Sequence, residues 1–216
     1  RALHAPYLLP KGPDTVVVDA NGADLVAAGT SVDISALLDS SRFRQGNPTE
    51  PVYPIASVNA YLDQLPWDAG ASALAMSAAD GAFDSNSETA TLSLNTTGWS
   101  SGRHFVHVQG VAANTGQAGT PNAAYVDVAA AGDIATLSGT VTARDGGAPL
   151  AASVTVSNAA TGEIRSADTN PADGAYTRRM LAGNVAVHVS APGYLDEDLP
   201  AVGLVGTQTT VRNFAM

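Results

Sequence analysis

Short stretches of this chain alternate between apolar and polar residues or run β-branched. Asp14-Thr-Val-Val-Val-Asp19, Thr91-Leu-Ser-Leu94, Val106-His-Val108 and Val185-Ala-Val-His-Val189 all carry this pattern, the mark of half-buried strands. Gly, Asn, Asp and Pro cut the runs off at intervals of roughly ten residues, the spacing expected of antiparallel sandwiches. One run fits two readings. In Ile55-Ala-Ser-Val-Asn-Ala-Tyr-Leu62 the apolar positions have mixed spacing, so a short helix limited by Pro54 and Pro66 fits. The alternation of Val58, Ala60 and Leu62 fits a strand equally well.

The pattern also divides the chain. Ala124-Tyr-Val-Asp-Val128 reads as the closing strand of one sandwich, and Ala135-Thr-Leu-Ser-Gly-Thr-Val-Thr142 as the opening strand of another. Between them Ala129-Ala-Ala-Gly-Asp133 is built of small residues and a glycine, a short and weakly packed linker. The expectation is an all-β chain of two tandem β-sandwiches. Residues 1–131 form an immunoglobulin- or fibronectin-like module and 132–216 a second module.

Composition narrows the function. The 216 residues are 45% apolar and 14% charged, a globular balance. Net charge is −10 and Lys11 is the only lysine, so phosphate backbones and anionic membrane surfaces are repelled and nucleic acid is not an expected partner. No apolar run approaches the ~20 residues of a membrane span. With no cysteine there are no disulfides, thiolate zinc sites or cysteine nucleophiles. The chain opens on Arg1 without a signal peptide, and is read as a segment of a longer, exported protein that is secreted or periplasmic.

His104 and His107, three apart in Gly102-Arg-His-Phe-Val-His-Val-Gln-Gly110, look like half of a metal site. On a strand they point to opposite faces: His104 shares one with Val106 and Val108, His107 the other with Phe105 and Gln109. His104 follows a corner containing Gly98, where immunoglobulin-like sandwiches place a tyrosine that ties corner to strand, and a ring nitrogen could serve that role. His188 is expected to face solvent, and His4 stands alone. No H-x-x-E or H-E-x-x-H spacing, G-x-S-x-G elbow or phosphate loop occurs, and none of the four glutamates lies within a turn of a histidine. The segment is therefore read as non-catalytic, with no cofactor of its own.

Two other candidates remain. In Asp80-Gly-Ala-Phe-Asp84-Ser-Asn86-Ser-Glu88, oxygen side chains recur at alternate positions, the ligand type calcium takes; the competing reading is a turn in which Asp and Asn bond the local backbone. Trp67, Trp99 and Tyr53 are candidates for a stacking surface, against ordinary packing at turns. Leu199-Pro-Ala-Val-Gly203 approaches the L-P-x-T-G sorting motif, but Val202 replaces the threonine and no apolar tail follows.

The second module is more specific. Leu137-Ser-Gly-Thr-Val141, Pro149-Leu150, Ser153-Val-Thr-Val156, Asp173-Gly-Ala-Tyr176, Ala182-Gly183, Val187-His-Val189, Ala191-Pro-Gly-Tyr194 and Asn213-Phe-Ala-Met216 follow in order. Together they resemble the carboxypeptidase regulatory-like domain, a transthyretin-like seven-stranded sandwich, across residues 134–216. In that fold Asp173-Gly174 supplies a tight turn, Val185, Val187 and Val189 a buried face, and Tyr194 apolar area to cap the sandwich. In the first module, Leu9-Pro-Lys-Gly-Pro-Asp14, Asp63-Gln-Leu-Pro-Trp67, Asp80-Gly-Ala-Phe-Asp-Ser85 and Gly102-Arg-His104 resemble the segment that follows the catalytic domain of some bacterial zinc carboxypeptidases, over about residues 5–128. Asn114-Thr-Gly-Gln-Ala-Gly119 keeps the glycines of that segment's last loop and lacks its tryptophan.

The resemblance implies a parent that removes C-terminal residues with a His/Glu/His-bound zinc, none of whose ligands lies here. The expected role is a non-catalytic accessory region that braces or positions the peptidase domain of the same chain, and with it a protein substrate. The alternative is a module binding carbohydrate or a cell-envelope component, with a polysaccharide as partner; a self-contained enzyme ranks last. Brief proteolysis should nick within 129–133 and leave two folded pieces on a gel; a chain that resists cleavage there would refute the division.

Overall fold

A computed structural model describes residues 12–22, 24–42 and 52–216. It is all-β, and it separates into two compact units, Arg1–Val128 and Ala129–Met216. Each is a β-sandwich with its own apolar core.

In the first unit, β1 (Asp14–Asp19), β3 (Ser31–Asp39), β6 (Ser77–Ala78) and β7 (Ser87–Asn95) form a sheet of order β1-β3-β7-β6. The facing sheet has order β2-β9-β8-β4-β5, from β2 (Leu25–Ala27), β4 (Ile55–Leu62), β5 (Leu74–Ala75), β8 (Gly102–Ala112) and β9 (Asn122–Ala129). Alternation builds the core. Along β3 the residues Val32, Ile34, Ala36 and Leu38 are buried while their neighbours face outward. They meet Val58 and Ala60 of β4, Val106 and Val108 of β8, and Val126 and Val128 of β9 in one cluster. Each fully buried aliphatic side chain of this kind contributes about 1.5–3 kcal/mol. A buried hydrogen bond from Thr15 Oγ1 to the Val108 carbonyl (3.0 Å) links β1 to the opposite sheet.

The run 55–62 is strand β4, antiparallel to β8. Its mixed spacing has a cause: the register shifts between Ile55 and Ser57, a bulge that inserts one residue. Ile55, Val58 and Ala60 consequently all point inward, and the spacing of three that resembles a helical face is a strand with an extra residue.

Near its start the second unit makes a 3₁₀ turn at Ala131–Asp133. Its first sheet sets β10 (Ile134–Thr142) between antiparallel β13 (Ala175–Leu181) and two short parallel segments, β16 (Thr209–Val211) and β17 (Phe214–Ala215). The other has order β12-β11-β14-β15, from β11 (Ser153–Asn158), β12 (Glu163–Asp168), β14 (Gly183–Ser190) and β15 (Glu197–Leu204). Counting β16 and β17 as one interrupted edge gives seven strands. Val185, Val187 and Val189 are buried against Val154, Val156, Leu137 and Phe214. The near-sorting motif at 199–203 lies within β15.

At the interrupted edge one backbone bond and one side-chain bond carry the ladder across the break. Arg212 N–H donates to the Ser138 carbonyl (2.8 Å), and Asn213 Oδ1 accepts from Thr140 N–H (3.0 Å) where a backbone carbonyl would normally stand. Gly139 makes the approach feasible: a Cβ there would lie 1.6 Å from the Arg212 carbonyl oxygen. That carbonyl also accepts from the Tyr176 hydroxyl (2.8 Å), whose ring packs beside Phe214. Tyr176 and Phe214 are thus the aromatics of the core, and Tyr194, expected to cap it, stays exposed. Asp173-Gly174 forms the expected turn, with Gly174 at φ +69°.

Replacing Gly139 with alanine should lower the stability of the second unit by about 3 kcal/mol, the scale of overpacking against fixed backbone. A Cβ on Gly132 meets nothing within 4 Å, so Gly132→Ala should stay within about 0.5 kcal/mol. Denaturant melts of the two variants check this.

Candidate functional site

One group of residues that could carry chemistry lies on the β4–β8–β9 sheet of the first unit. Leu62 pairs with Val106, so the turn after β4 lies against the start of β8. Asp63 occupies that turn at φ +53°, a region Asp tolerates better than most residues. Its backbone N–H donates to the Phe105 carbonyl (2.8 Å), and its Oδ1 accepts from Phe105 N–H (2.7 Å). Its Oδ2 stands 2.6 Å from His104 Nδ1.

His104 is buried on the inner side of β8. Its Nε2 lies 2.8 Å from the Ser100 carbonyl, four residues back across the corner. A carbonyl only accepts, so Nε2 carries a proton; Nδ1 faces a carboxylate, which also only accepts. The imidazolium, with both nitrogens donating, satisfies the two partners together. Burial alone pushes the His104 pKa down, and the Ser100 and Asp63 bonds outweigh it, so the net value is raised. The Trp99 ring packs at 4.9 Å from the imidazole and against the core.

His107 lies on the opposite face, so the two histidines do not converge. Among the described residues no group of three or more His, Cys, Asp or Glu is arranged to hold a metal. His188 is exposed on β14, where its Nδ1 pairs with Asp198 at 2.8 Å and the bond to Asp198 raises its pKa. His4 and residues 9–11 of the phrase Leu9–Asp14 lie outside the described residues.

In the candidate calcium loop, Glu88 is buried and its Oε1 accepts from the amides of Asp84 (3.0 Å) and Ser85 (2.7 Å). Asp80 Oδ1 accepts from Ala82 N–H and Asp84 Oδ1 from Ser85 Oγ, while the Asn86 main-chain carbonyl accepts from Ser40. The loop is thus laced by its own backbone bonds.

The three stacking candidates do not share one surface. Tyr53 precedes β4 and Trp67 follows it, and eight residues of strand hold the two ends about 25 Å apart. Trp99 lies at Trp67's end but is half-buried beside His104; Trp67 is 64% exposed.

The outer face of β8 and β9 carries aromatics that the sequence reading left aside. Phe105 pairs directly with Tyr125, His107 with Ala123 on one side and Tyr61 on the other, and Arg103 with Asp127. Cross-strand partners share a face. Phe105 and Tyr125 are 45% and 39% exposed, and the Phe105 and His107 rings stack at 6.2 Å. The Arg103 guanidinium lies 3.9 Å from the Tyr125 centroid and donates from Nε (2.8 Å) and Nη2 (2.9 Å) to the two Asp127 oxygens. The available signal was the i, i+2 spacing of Phe105 and His107.

The model of the carboxypeptidase regulatory-like domain matches residues 136–216. A carboxypeptidase regulatory-like domain is present. It comprises nearly all of the second unit, with the interrupted β16–β17 edge at its end. Comparison with curated proteins gives no match. Among solved structures the chain is similar to the Bacillus anthracis TIE protein, at 13% identity and TM-score 0.34, over 92% of this chain and 40% of that one. It is similar to BcpA, the major pilin subunit of Bacillus cereus, at 10% identity and TM-score 0.29, over 92% and 69%. A third is dimeric latent PorU from Porphyromonas gingivalis, at 9% identity and TM-score 0.33, over 96% and 20%. The chain therefore spans less than half the length of the TIE protein. No helix among the described residues is long and apolar enough to cross a membrane.

The raised His104 pKa links stability to pH. Below about 6.5 the imidazole is protonated folded or unfolded, and the full benefit of its bonds is present. As pH rises from there through the folded value, the unfolded chain sheds the proton first and the benefit is lost. The first unit should melt at a lower temperature at pH 9 than at pH 6, and Asp63→Asn should flatten that dependence. Calorimetric melts at both pH values are the check.

Proposed function

We propose that this chain is a non-catalytic accessory segment of an exported zinc metallocarboxypeptidase, bracing or positioning the peptidase domain of the same polypeptide and biasing substrate access. The carrying observation is the carboxypeptidase regulatory-like domain over residues 136–216. The first unit supports the reading through the way its reactive groups are used. The Asp63–His104 pair has the form of a general base with its orienting acid, yet Nε2 is spent on the Ser100 carbonyl rather than on a nucleophile. Glu88 is spent on two backbone amides. Such a segment offers rigid surfaces and loops, and the zinc chemistry belongs to the domain it serves.

The purified segment with added zinc should leave C-terminally blocked and free peptide substrates intact. Fused to its peptidase domain it should raise that domain's melting temperature or shift its preference among peptides. Hydrolysis by the isolated segment, abolished in His104→Ala, would overturn the proposal.

A further inference from the structure

Among the described residues, no further layer covers the outer face of the β4–β8–β9 sheet. Its two strongly exposed apolar side chains, Phe105 and Tyr125, are both aromatic and sit opposite one another on adjacent strands. His107 continues the row from Phe105 along β8, and Tyr61 lies beside His107 on β4. Arg103 lies over one face of the Tyr125 ring. Phe105, His107 and the exposed remainder of Tyr125 offer ring area at cross-strand and i, i+2 spacing, on the scale of successive pyranose rings, whose C–H faces pack on π-faces while their edges stay hydrated.

Charge selects among occupants. Arg103 is closed on Asp127 by two hydrogen bonds, so this end of the face carries a neutralised pair rather than a free cation. The chain as a whole is at −10. An anionic polymer meets repulsion without a compensating cation, whereas a neutral, hydroxyl-rich one loses no charge solvation and finds donors and acceptors in the Arg103–Asp127 pair. A protein core would ask for aliphatic anchors, and the exposed Val17, Leu37 and Leu74 stand on other strands.

The platform is also held rigid. Asp63 bonds both the N–H and the carbonyl of Phe105, and its other oxygen is fixed by His104 beneath. Little ordering is left to be done at binding.

We propose that the face bearing Phe105, Tyr125, His107 and Arg103 binds a neutral polysaccharide by stacking. This stands whether or not a peptidase shares the polypeptide.

The test is retention of the full chain on insoluble cellulose and chitin, and its retardation in native gels containing xylan, with alginate as the anionic comparator. Wild type should be held by at least one neutral polymer. Phe105→Ala and Tyr125→Ala should each weaken retention at least tenfold, while Trp67→Ala leaves it unchanged. Phe105→Leu, which keeps apolar volume at an exposed position and removes the ring, should weaken it similarly with an unaltered melting curve. Failure to bind any neutral polymer, binding to alginate alone, or retention indifferent to Phe105 and Tyr125 would each overturn the proposal. So would a wild-type dimer in sedimentation that Phe105→Ala dissociates, since the face would then serve a second copy.

Discussion

One end of the first unit is organised around a buried histidine bonded at both ring nitrogens. His104 sits under the sheet with an acceptor at each ring nitrogen, and its charge is worth burying because Asp63 and the Ser100 carbonyl both close on it. The bond to Ser100 fixes the corner that leads into β8; the bond to Asp63 fixes the turn that leaves β4. One side chain thereby sets the relative position of two strands at the same end of the sandwich. Asp63 passes the constraint outward, because its second oxygen holds the backbone of Phe105 on the opposite face. A tyrosine hydroxyl can tie a corner with a single donor; a protonated imidazole donates from two nitrogens on different sides of its ring.

The second unit solves a comparable problem without charge. Its closing edge is broken at the exposed pair Arg212–Asn213, and a break in the ladder leaves backbone groups to be satisfied. The Asn213 amide oxygen stands in for one carbonyl, and the Arg212 carbonyl takes the Tyr176 hydroxyl. Burial pushes the Tyr176 pKa up to about 12, so the phenol remains a donor across the ordinary pH range. Gly139 leaves the space in which these groups meet.

In both units the groups with most chemical potential are used to build. An Asp–His pair, a buried glutamate and a buried phenol each end on backbone atoms. Among the described residues, the exposed rings of Phe105 and Tyr125 lie on the face that the Asp63–His104 pair holds in place.

Much of the architecture was legible along the chain. Alternation announced the strands, and face-by-face counting separated His104 from His107 because period 2 is a property of local backbone geometry. The reading of 55–62 stayed divided because a bulge adds one residue and imitates helical spacing. Tyr194 was misplaced because an aromatic in a turn carries no local sign of whether a core lies beneath it. Asp63 could not be read as the partner of His104, since 41 residues separate them and only the pairing of β4 with β8 brings them together. The gathering of Phe105 with Tyr125 belongs to the same class of fact. Strand content follows from neighbours in sequence; which strands become neighbours, and so which side chains share a face, is decided by burying two sheets against each other.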